Sequence, residues 1–163
     1  MSLLVGLSER ERLFVHLVRA YPDEGCGVLL GRDEAGLRLV VDVVPVGNEQ
    51  TDSQRNRYVI SPAQFLAAER RARDLGLDVV GFFHSHPDHP AEPSAFDLEH
   101  AWPYYSYLIV SVESGRVADT RSWRLADDRS HFVPEPIRET SADGEDPAVD
   151  PTPRPTPERG ESR

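Results

Sequence analysis

Two histidines separated by one residue follow an apolar run in the segment GFFHSHPDHPAEPSAFD, residues 81–97. In an extended strand, side chains at positions i and i+2 point to the same face, so the imidazoles of His84 and His86 can approach one point. Asp97 falls in the first turn of a predicted short helix and reaches the same point if the intervening loop folds back. Two histidines and one carboxylate are a common zinc ligand set that leaves the fourth position to water. The spacing therefore predicts a zinc site formed by His84, His86 and Asp97.

Hydrolysis at such a site also needs a group that takes and returns the proton of the water. Glu24, in the segment YPDEGCG at residues 21–27, is the acidic residue with the most suggestive setting, because its glycine-flanked turn allows close approach of the backbone. The hydroxyl of Ser94 would lie beside the metal, where it could stabilise an oxyanion. These residues are the candidate catalytic groups, Glu24 for proton transfer and Ser94 for oxyanion binding.

Each of these residues also has a structural interpretation. Ser94 and Asp97 have nearly the S-x-x-E spacing of a helix capping box, and either residue alone would more often be a helix cap. Cys26 begins an apolar run and is interpreted as a small buried side chain rather than a ligand. The capping interpretation does not account for the two histidines immediately upstream.

The sequence resembles the JAMM family, also called MPN-plus or JAB domain metallopeptidases, over about residues 8–125. His84-Ser-His86-Pro, seven residues, Ser94, two residues and Asp97 form the pattern H-x-H-x(7)-S-x-x-D of that family. The segment Pro22–Gly27 is similar to the glutamate motif of the family. The resemblance is therefore carried by two separate stretches of the chain.

The resemblance implies a specific chemistry and a specific fold. His84, His86 and Asp97 would be zinc ligands, Glu24 the general base and acid, and Ser94 the oxyanion stabiliser. The implied fold is similar to that of cytidine deaminases. Family members cut peptide or isopeptide bonds after the tail of ubiquitin-like proteins, and some short bacterial members release an amino acid from a sulfur-carrier protein. The implied partner is a ubiquitin-like or sulfur-carrier protein with a Gly-Gly tail.

The predicted elements give an α/β (α+β) fold with a mixed sheet flanked by helices. A capping box at Ser8 predicts a first helix over about 8–20, and Ser61-Pro62 predicts a second that ends at Gly76, with Phe65, Leu66, Ala68 and Leu75 facing the core. A third, short helix begins at Ser94. The predicted strands are 26–31, 37–46, 57–60, 78–83, 106–113, 117–125 and 130–133.

Length and composition define the organisation of the chain. The chain has 163 residues, and residues 1–137 are predicted to form one metallopeptidase domain. Residues 138–163, which include five of the 14 prolines, are predicted to form a disordered acidic tail. A net charge of −10 argues against nucleic-acid binding. The single cysteine and the lack of a long apolar run predict a cytoplasmic protein without a membrane segment.

Two other functions and two surface features remain as alternatives. A non-catalytic MPN-type interaction scaffold is the alternative function, although no position of the metal motif is lost. Zinc-dependent deamination requires an H-x-E and P-C-x-x-C signature, which a chain with one cysteine does not contain. The aromatic residues 102–105 are candidates for lining a substrate groove. Asn48 and the polar segment 47–56 are candidates for a flap over the cleft.

Overall fold

The structure is a computed structural model that describes residues 1–48 and 57–140. Within these residues, eight strands form one mixed sheet and three helices accompany it. In chain order the elements are β1 Ser2–Val5, α1 Leu7–Ala20, β2 Cys26–Glu34, β3 Leu37–Val46, α2 Pro62–Leu75, β4 Asp78–Pro87, α3 Ala95–His100, β5 Ser106–Glu113, β6 Arg116–Leu125, β7 Phe132–Glu135 and β8 Ile137–Glu139. This architecture confirms the predicted mixed sheet with flanking helices.

The strand order is β7-β6-β5-β4-β2-β3-β1-β8, which places β4 near the middle of the sheet. Strand β4 runs antiparallel to β2 and parallel to β5. Of the other pairs, β1–β3 and β1–β8 are parallel, whereas β2–β3, β5–β6 and β6–β7 are antiparallel. The predicted hairpin over 26–46 and the strand over 106–113 are confirmed.

The helices α1 and α2 cover opposite faces of the sheet. Leu13 and Leu17 of α1 are fully buried in the cluster that contains Phe83, whereas Ala68 and Ala72 of α2 belong to a second cluster with other strand residues. Successive side chains of a strand point to opposite faces, which explains why neighbouring residues of β2 and β4 enter different clusters. The centre of the sheet is therefore buried on both sides.

The start of α1 differs from the prediction. The N-cap is Gly6, which has no side-chain cap, and Ser8 lies inside the first turn. The capping box predicted at Ser8 is therefore wrong, although the helix itself is confirmed. Helix α2, in contrast, begins with the predicted serine: Ser61 and Gln64 form a reciprocal capping box, and Gly76 ends the helix at φ 67°.

Two further predictions are wrong. Residues 57–60 form no strand and pair with no strand of the sheet. Leu66 and Leu75, expected to face the core, are 45% and 48% exposed. The buried side of α2 consists of Ala68 and Ala72, whose small side chains allow the helix to lie close to the sheet.

The chain contains two short strands that the sequence did not predict, β1 and β8. They pair with each other, and β1 also pairs with β3. Strand β8 continues to Glu139, two residues beyond the domain boundary expected after residue 137. The predicted tail from 141 onward and most of the predicted flap, residues 49–56, lie outside the described residues. No helix in the described part of the chain is long and apolar enough to cross a membrane.

Candidate functional site

The two histidines of the predicted metal site lie near the end of the central strand β4. Strand pairing fixes their backbone, because His84 lies opposite Cys26 of β2 and Ile109 of β5, and His86 lies opposite Ser111 of β5. Both side chains are buried, with 1% and 7% of the residue exposed. Their Nε2 atoms are 3.1 Å apart. The alternation of the strand therefore brings the two imidazoles to one point, as the spacing predicted.

Asp97 reaches this point from the first turn of α3. Ser94 is the N-cap of the helix: its Oγ accepts a hydrogen bond from the Asp97 amide at 3.1 Å, and its own amide donates to Asp97 Oδ2 at 2.8 Å. This exchange aims the carboxylate at the histidines, with Oδ1 3.3 Å from His84 Nε2 and Oδ2 3.2 Å from His86 Nε2. The capping and site interpretations of this pair are therefore compatible.

The charge state of Asp97 follows from these neighbours. Burial by itself would raise its pKa, but the charge and hydrogen bond of His84, the hydrogen bond of His86 and the Ser94 amide outweigh burial. The net effect holds the pKa of Asp97 well below its usual range. Asp97 is thus a buried carboxylate that stays negative at neutral pH.

The ring orientations of the two histidines are set by different contacts. His86 Nδ1 lies 2.8 Å from the carbonyl oxygen of Pro90, so this nitrogen carries a proton and Nε2 is the ring atom that faces His84 and Asp97. The ring of His84 stacks on Tyr58, with centroids 4.4 Å apart and planes at 24°. Residue Tyr58, which the sequence placed in a strand, therefore fixes the ring of His84 instead.

Glu24 lies on the connection between α1 and β2 and is held against β4. The Gly25 amide donates to Ser85 Oγ at 2.9 Å, and the Ser85 amide donates to the Gly25 carbonyl at 3.0 Å. Asn48 Nδ2 donates to the Glu24 carbonyl at 3.1 Å. Ser85 stands between the two histidines in sequence, so one strand positions both the imidazoles and the turn that carries Glu24.

The Glu24 carboxyl group is buried beside the histidines. Its Oε1 is 3.8 Å from His86 Nε2, and the residue is 4% exposed. Burial, and next the negative charge of Asp97, raise the pKa of Glu24 to about 9. Without a nearby cation the group therefore keeps its proton at neutral pH, and a cation bound beside it would favour ionisation.

The donor set fits a metal ion. One ligand atom from each of Glu24, His84 and His86 lies within 4.8 Å of the others, and all three residues are buried. The carboxylate oxygens of Asp97 lie 3.3 and 3.2 Å from the Nε2 atoms of His84 and His86, closer than the 3.8 Å between Glu24 Oε1 and His86 Nε2. Among the described residues, the buried side-chain atoms without a hydrogen-bond partner are Glu24 Oε2 and His84 Nδ1, and both belong to this site. Imidazole nitrogens with carboxylate oxygens are the donors expected of zinc.

Two depressions flank this site. A cavity of about 680 Å³, here called the aromatic cavity, is lined by Tyr58, Phe82, Phe96, Trp102, Tyr104 and Tyr105, with Asp97 also on its wall. A smaller one of about 370 Å³, here called the polar depression, is lined by Glu24, His86, His89, Glu92 and Ser94. The predicted aromatic segment 102–105 therefore lines a cavity that adjoins the candidate site.

Two other residues near the site, Cys26 and His100, have contacts that explain them structurally. Cys26 is fully buried, and burial, together with the charge of Glu24, raises the pKa of its thiol to about 12. His100 is exposed, and its Nδ1 lies 2.9 Å from the Phe96 carbonyl one turn earlier in α3. Ser85 and Tyr58 were missed by sequence reasoning. An unusual polar residue between two site histidines is the signal that could have identified Ser85.

The fold and the site agree with membership of a known protein family. Residues 8–126 match the family described as prokaryotic homologs of the JAB domain, and the chain belongs to that family. A solution structure of a Desulfitobacterium hafniense protein is similar to this fold, with a TM-score of 0.74, 32% identity and coverage of 86% of this chain and 93% of that chain. The family resemblance noted from the sequence is confirmed.

Relatives within the family have named activities. Desampylase of Haloferax volcanii is 40% identical over 98 residues, which are 60% of this chain and 68% of that protein. The probable TtuB-protein conjugate cleaving protease of Thermus thermophilus is 34% identical over 111 residues, or 68% of this chain and 70% of that protein. The CysO-cysteine peptidase of Mycobacterium tuberculosis is 29% identical over 116 residues, or 71% and 77% of the two chains. The names of the Thermus and Mycobacterium relatives describe a protease that cleaves protein conjugates and a peptidase that acts on CysO-cysteine.

Proposed function

We propose that this protein is a zinc metallopeptidase that hydrolyses the peptide or isopeptide bond at the C-terminal tail of a ubiquitin-like or sulfur-carrier protein. The observation that carries the proposal is the convergence of Glu24 with His84, His86 and Asp97 in one buried site. The names of the relatives support the substrate class, since they refer to conjugates of TtuB and to CysO-cysteine. A Gly-Gly end of the carrier tail is part of the proposal.

In this proposal His84, His86 and Asp97 hold the zinc ion. Zinc supplies Lewis acidity, which lowers the pKa of water and polarises a carbonyl group. The protein prepares the ligands: the Pro90 carbonyl fixes the tautomer of His86, and the Ser94 amide orients the Asp97 carboxylate. The burial of all three side chains excludes other water and strengthens the interactions within the site.

Glu24 transfers the proton. As general base it takes a proton from the attacking water, whose oxygen forms the new bond to the carbonyl carbon. As general acid it then gives that proton to the leaving nitrogen when the C–N bond breaks, so that an acid and an amine are released. Burial, which raises the pKa of Glu24, would favour the protonated form needed for the second step, and the positive charge of a bound metal would favour the ionised form needed for the first.

Ser94 stabilises the charge that develops on the carbonyl oxygen. Its Oγ already accepts a hydrogen bond from the Asp97 amide, so the hydroxyl proton remains available for donation to the substrate. The residue is exposed and lines the polar depression beside Glu24. A role as N-cap and a role as donor are therefore filled by different atoms of the same hydroxyl.

Two substitutions separate the roles of metal ligand and proton carrier. His84→Ala is expected to lose zinc, and Glu24→Gln to keep zinc while hydrolysis slows by about 10²–10⁴-fold. The substrates are the ubiquitin-like carriers of the same cell, each extended by one residue after Gly-Gly or joined to a lysine side chain. Mass spectrometry reports release of the added group, and a chelator should stop it.

The controls distinguish catalysis from a scaffold role. Glu99→Gln, at an exposed position of α3, should keep both zinc and activity. Wild-type turnover by Glu24→Gln would refute the proposed mechanism. Purified protein with less than about half an equivalent of zinc, together with no hydrolysis of any carrier, would favour the non-catalytic scaffold instead.

A further inference from the structure

We infer that Tyr104 is a specificity-determining residue: it forms a wall of the aromatic cavity that receives a large apolar side chain of the carrier tail, just upstream of Gly-Gly. Arg38 and Arg124 act as positioning residues that hold Tyr104 in place. The inference rests on the proposed function, since it names the part of the substrate that this cavity selects.

The backbone of Tyr104 has an unfavourable conformation. Its φ is 88°, in the left-handed region that side chains other than glycine rarely adopt. Glycine would fill this turn position without strain, yet the residue is a large aromatic that is 51% exposed. A strained residue persists only where its surroundings impose the conformation, and such residues concentrate at functional sites.

Two arginines impose the conformation of Tyr104. Its carbonyl oxygen accepts hydrogen bonds from Arg38 Nη1 at 2.5 Å and from Arg124 Nη2 at 3.0 Å. The Arg38 guanidinium also lies over the Tyr104 ring, 4.7 Å from its centroid. Both ring and carbonyl are therefore fixed by the same cation.

Arg38 is itself immobilised, which makes it a rigid support. Its side chain is fully buried, forms a bidentate ion pair with Asp33 at 2.8 and 3.0 Å, and donates to the Val80 carbonyl at 3.0 Å and to Ser106 Oγ at 3.2 Å. A buried arginine with all these contacts ties the turn at Tyr104 to the centre of the sheet. The wall of the cavity is thus anchored to the sheet through Arg38.

The carrier tail is the occupant that the geometry favours. The aromatic cavity is continuous with the site, because Tyr58 stacks on His84 and Asp97 contacts both histidines. Glu24 lines the separate polar depression, which shares no lining residue with the aromatic cavity, and must protonate the leaving nitrogen there. The acyl side of the bond, which is the carrier tail, therefore extends toward the aromatic cavity.

The dimensions and charges of the cavity indicate which side chain enters it. Two glycines carry no side chain and span about 7 Å when extended, so the first side chains upstream of them are the ones that meet the cavity wall. At its rim, Arg57 lies over Phe96 at 5.3 Å and Arg129 over Trp102 at 4.4 Å. These cations disfavour lysine or arginine in the cavity, whereas the aromatic lining favours a large apolar side chain.

Peptide binding tests the inference without any need for turnover. The probes are fluorescein-labelled eight-residue peptides that end in Gly-Gly, with serine elsewhere and one leucine placed in turn at each of the four positions before the glycines. Fluorescence anisotropy gives Kd for each peptide, and the same peptides extended by one residue give kcat and KM. We expect one leucine position to bind about tenfold tighter or more than serine.

Three variants locate the preference in the wall at residue 104. Tyr104→Ala and Tyr104→Gly should reduce the ratio of Kd for the serine peptide to Kd for the leucine peptide from about tenfold to below about threefold. Arg124→Gln should weaken the same preference through KM, with kcat unchanged. Arg116→Gln, an exposed arginine on the same strand as Arg124, is the matched control and should keep the ratio. Tyr104→Gly should also melt at a higher temperature than Tyr104→Ala, the reverse of the usual order, because glycine accepts the positive φ.

Each outcome has a defined meaning. Hydrolysis without any leucine preference, or a preference that survives Tyr104→Gly, would overturn the inference and leave the proposed function intact. An alanine variant as stable as the glycine variant would overturn the argument from strain. No hydrolysis of any carrier would remove the proposed function itself. A wild-type dimer that Tyr104→Gly dissociates in sedimentation would assign the cavity to a second copy of the chain and refute the inference.

Discussion

Ser85→Ala is the substitution that most directly tests how the fold positions Glu24. Ser85 is 1% exposed, and its Oγ is the acceptor for the buried Gly25 amide. Alanine leaves that amide without a partner, which costs about 1–3 kcal/mol of folding free energy. In a domain of this size, each kcal/mol lowers the melting temperature by about 3–5 °C.

The effect on catalysis should be larger than the effect on folding. The Gly25–Ser85 contact fixes the turn that carries Glu24 relative to the histidine strand, and a displacement of about 1 Å at a reacting group can cost about 10²-fold in rate. The histidines themselves remain within β4, so zinc binding should persist. We expect kcat on the carrier substrate to fall by about 10–100-fold at an unchanged zinc content.

A matched serine separates the two effects. Ser122 is 2% exposed in the same sheet and donates a hydrogen bond to Glu135 at 2.8 Å, away from the site. Ser122→Ala should lose stability to a similar degree and keep the wild-type kcat. If Ser85→Ala melts earlier but turns over as fast as the wild type, the Ser85 contact does not position Glu24 and the reasoning is wrong.

Two further predictions concern metal removal and pH. After chelation, added zinc should raise the melting temperature of the wild type, with a stabilisation of about 4 kcal/mol at a free zinc concentration 1,000 times Kd. His84→Ala should show no such shift. A wild type that does not respond to zinc would contradict the assigned ligands. Asp42 lies in β3, where burial alone would raise its pKa, but Arg12 of α1 and Arg71 of α2, each 2.7 Å away, hold the pKa below the usual value of 3.8. Because the pKa is lower in the folded state, the stabilisation is present above about pH 4 and is lost as the pH falls through the folded-state pKa. Asp42→Asn should therefore be about 1 kcal/mol less stable than the wild type at pH 7. In chemical denaturation, the free energies of unfolding of the two proteins should converge at the lowest pH. A difference in stability that stays constant with pH would show that the charge of Asp42 does not cause it.

The site could be anticipated because its spacing is local. Residues i and i+2 of a strand share a face, so His84 and His86 converge without any knowledge of the rest of the fold. The approach of Glu24 depends on the pairing of β2 with β4 and on the Gly25–Ser85 hydrogen bond beside it, which joins residues 60 positions apart. Spacing alone did not contain that pairing; Glu24 was a candidate because of its glycine-flanked turn, and the family resemblance implied its role in proton transfer.

The wrong predictions share a physical cause: tertiary contacts, rather than local composition, determined the conformation or the exposure of these residues. Residues 57–60 have strand-like composition, but Tyr58 stacks on His84, and within residues 1–48 and 57–140 they pair with no strand. Leu66 is apolar yet exposed, because the side of α2 that meets the sheet uses Ala68 and Ala72. Strands β1 and β8 are too short to show a period, and the second pairs with the first while Ile137 packs against the main core.

The pairing of the first strand with the last has a consequence for protein synthesis. Leu3 and Val5 lie beside Ile137 and Glu139, so the outer side of β1 stays uncovered until nearly the whole domain has left the ribosome. A shortened chain that stops at residue 136 would leave that strand exposed for good. Its free backbone groups would then be available for pairing with other chains, and aggregation would follow even though every residue of the metal site is present.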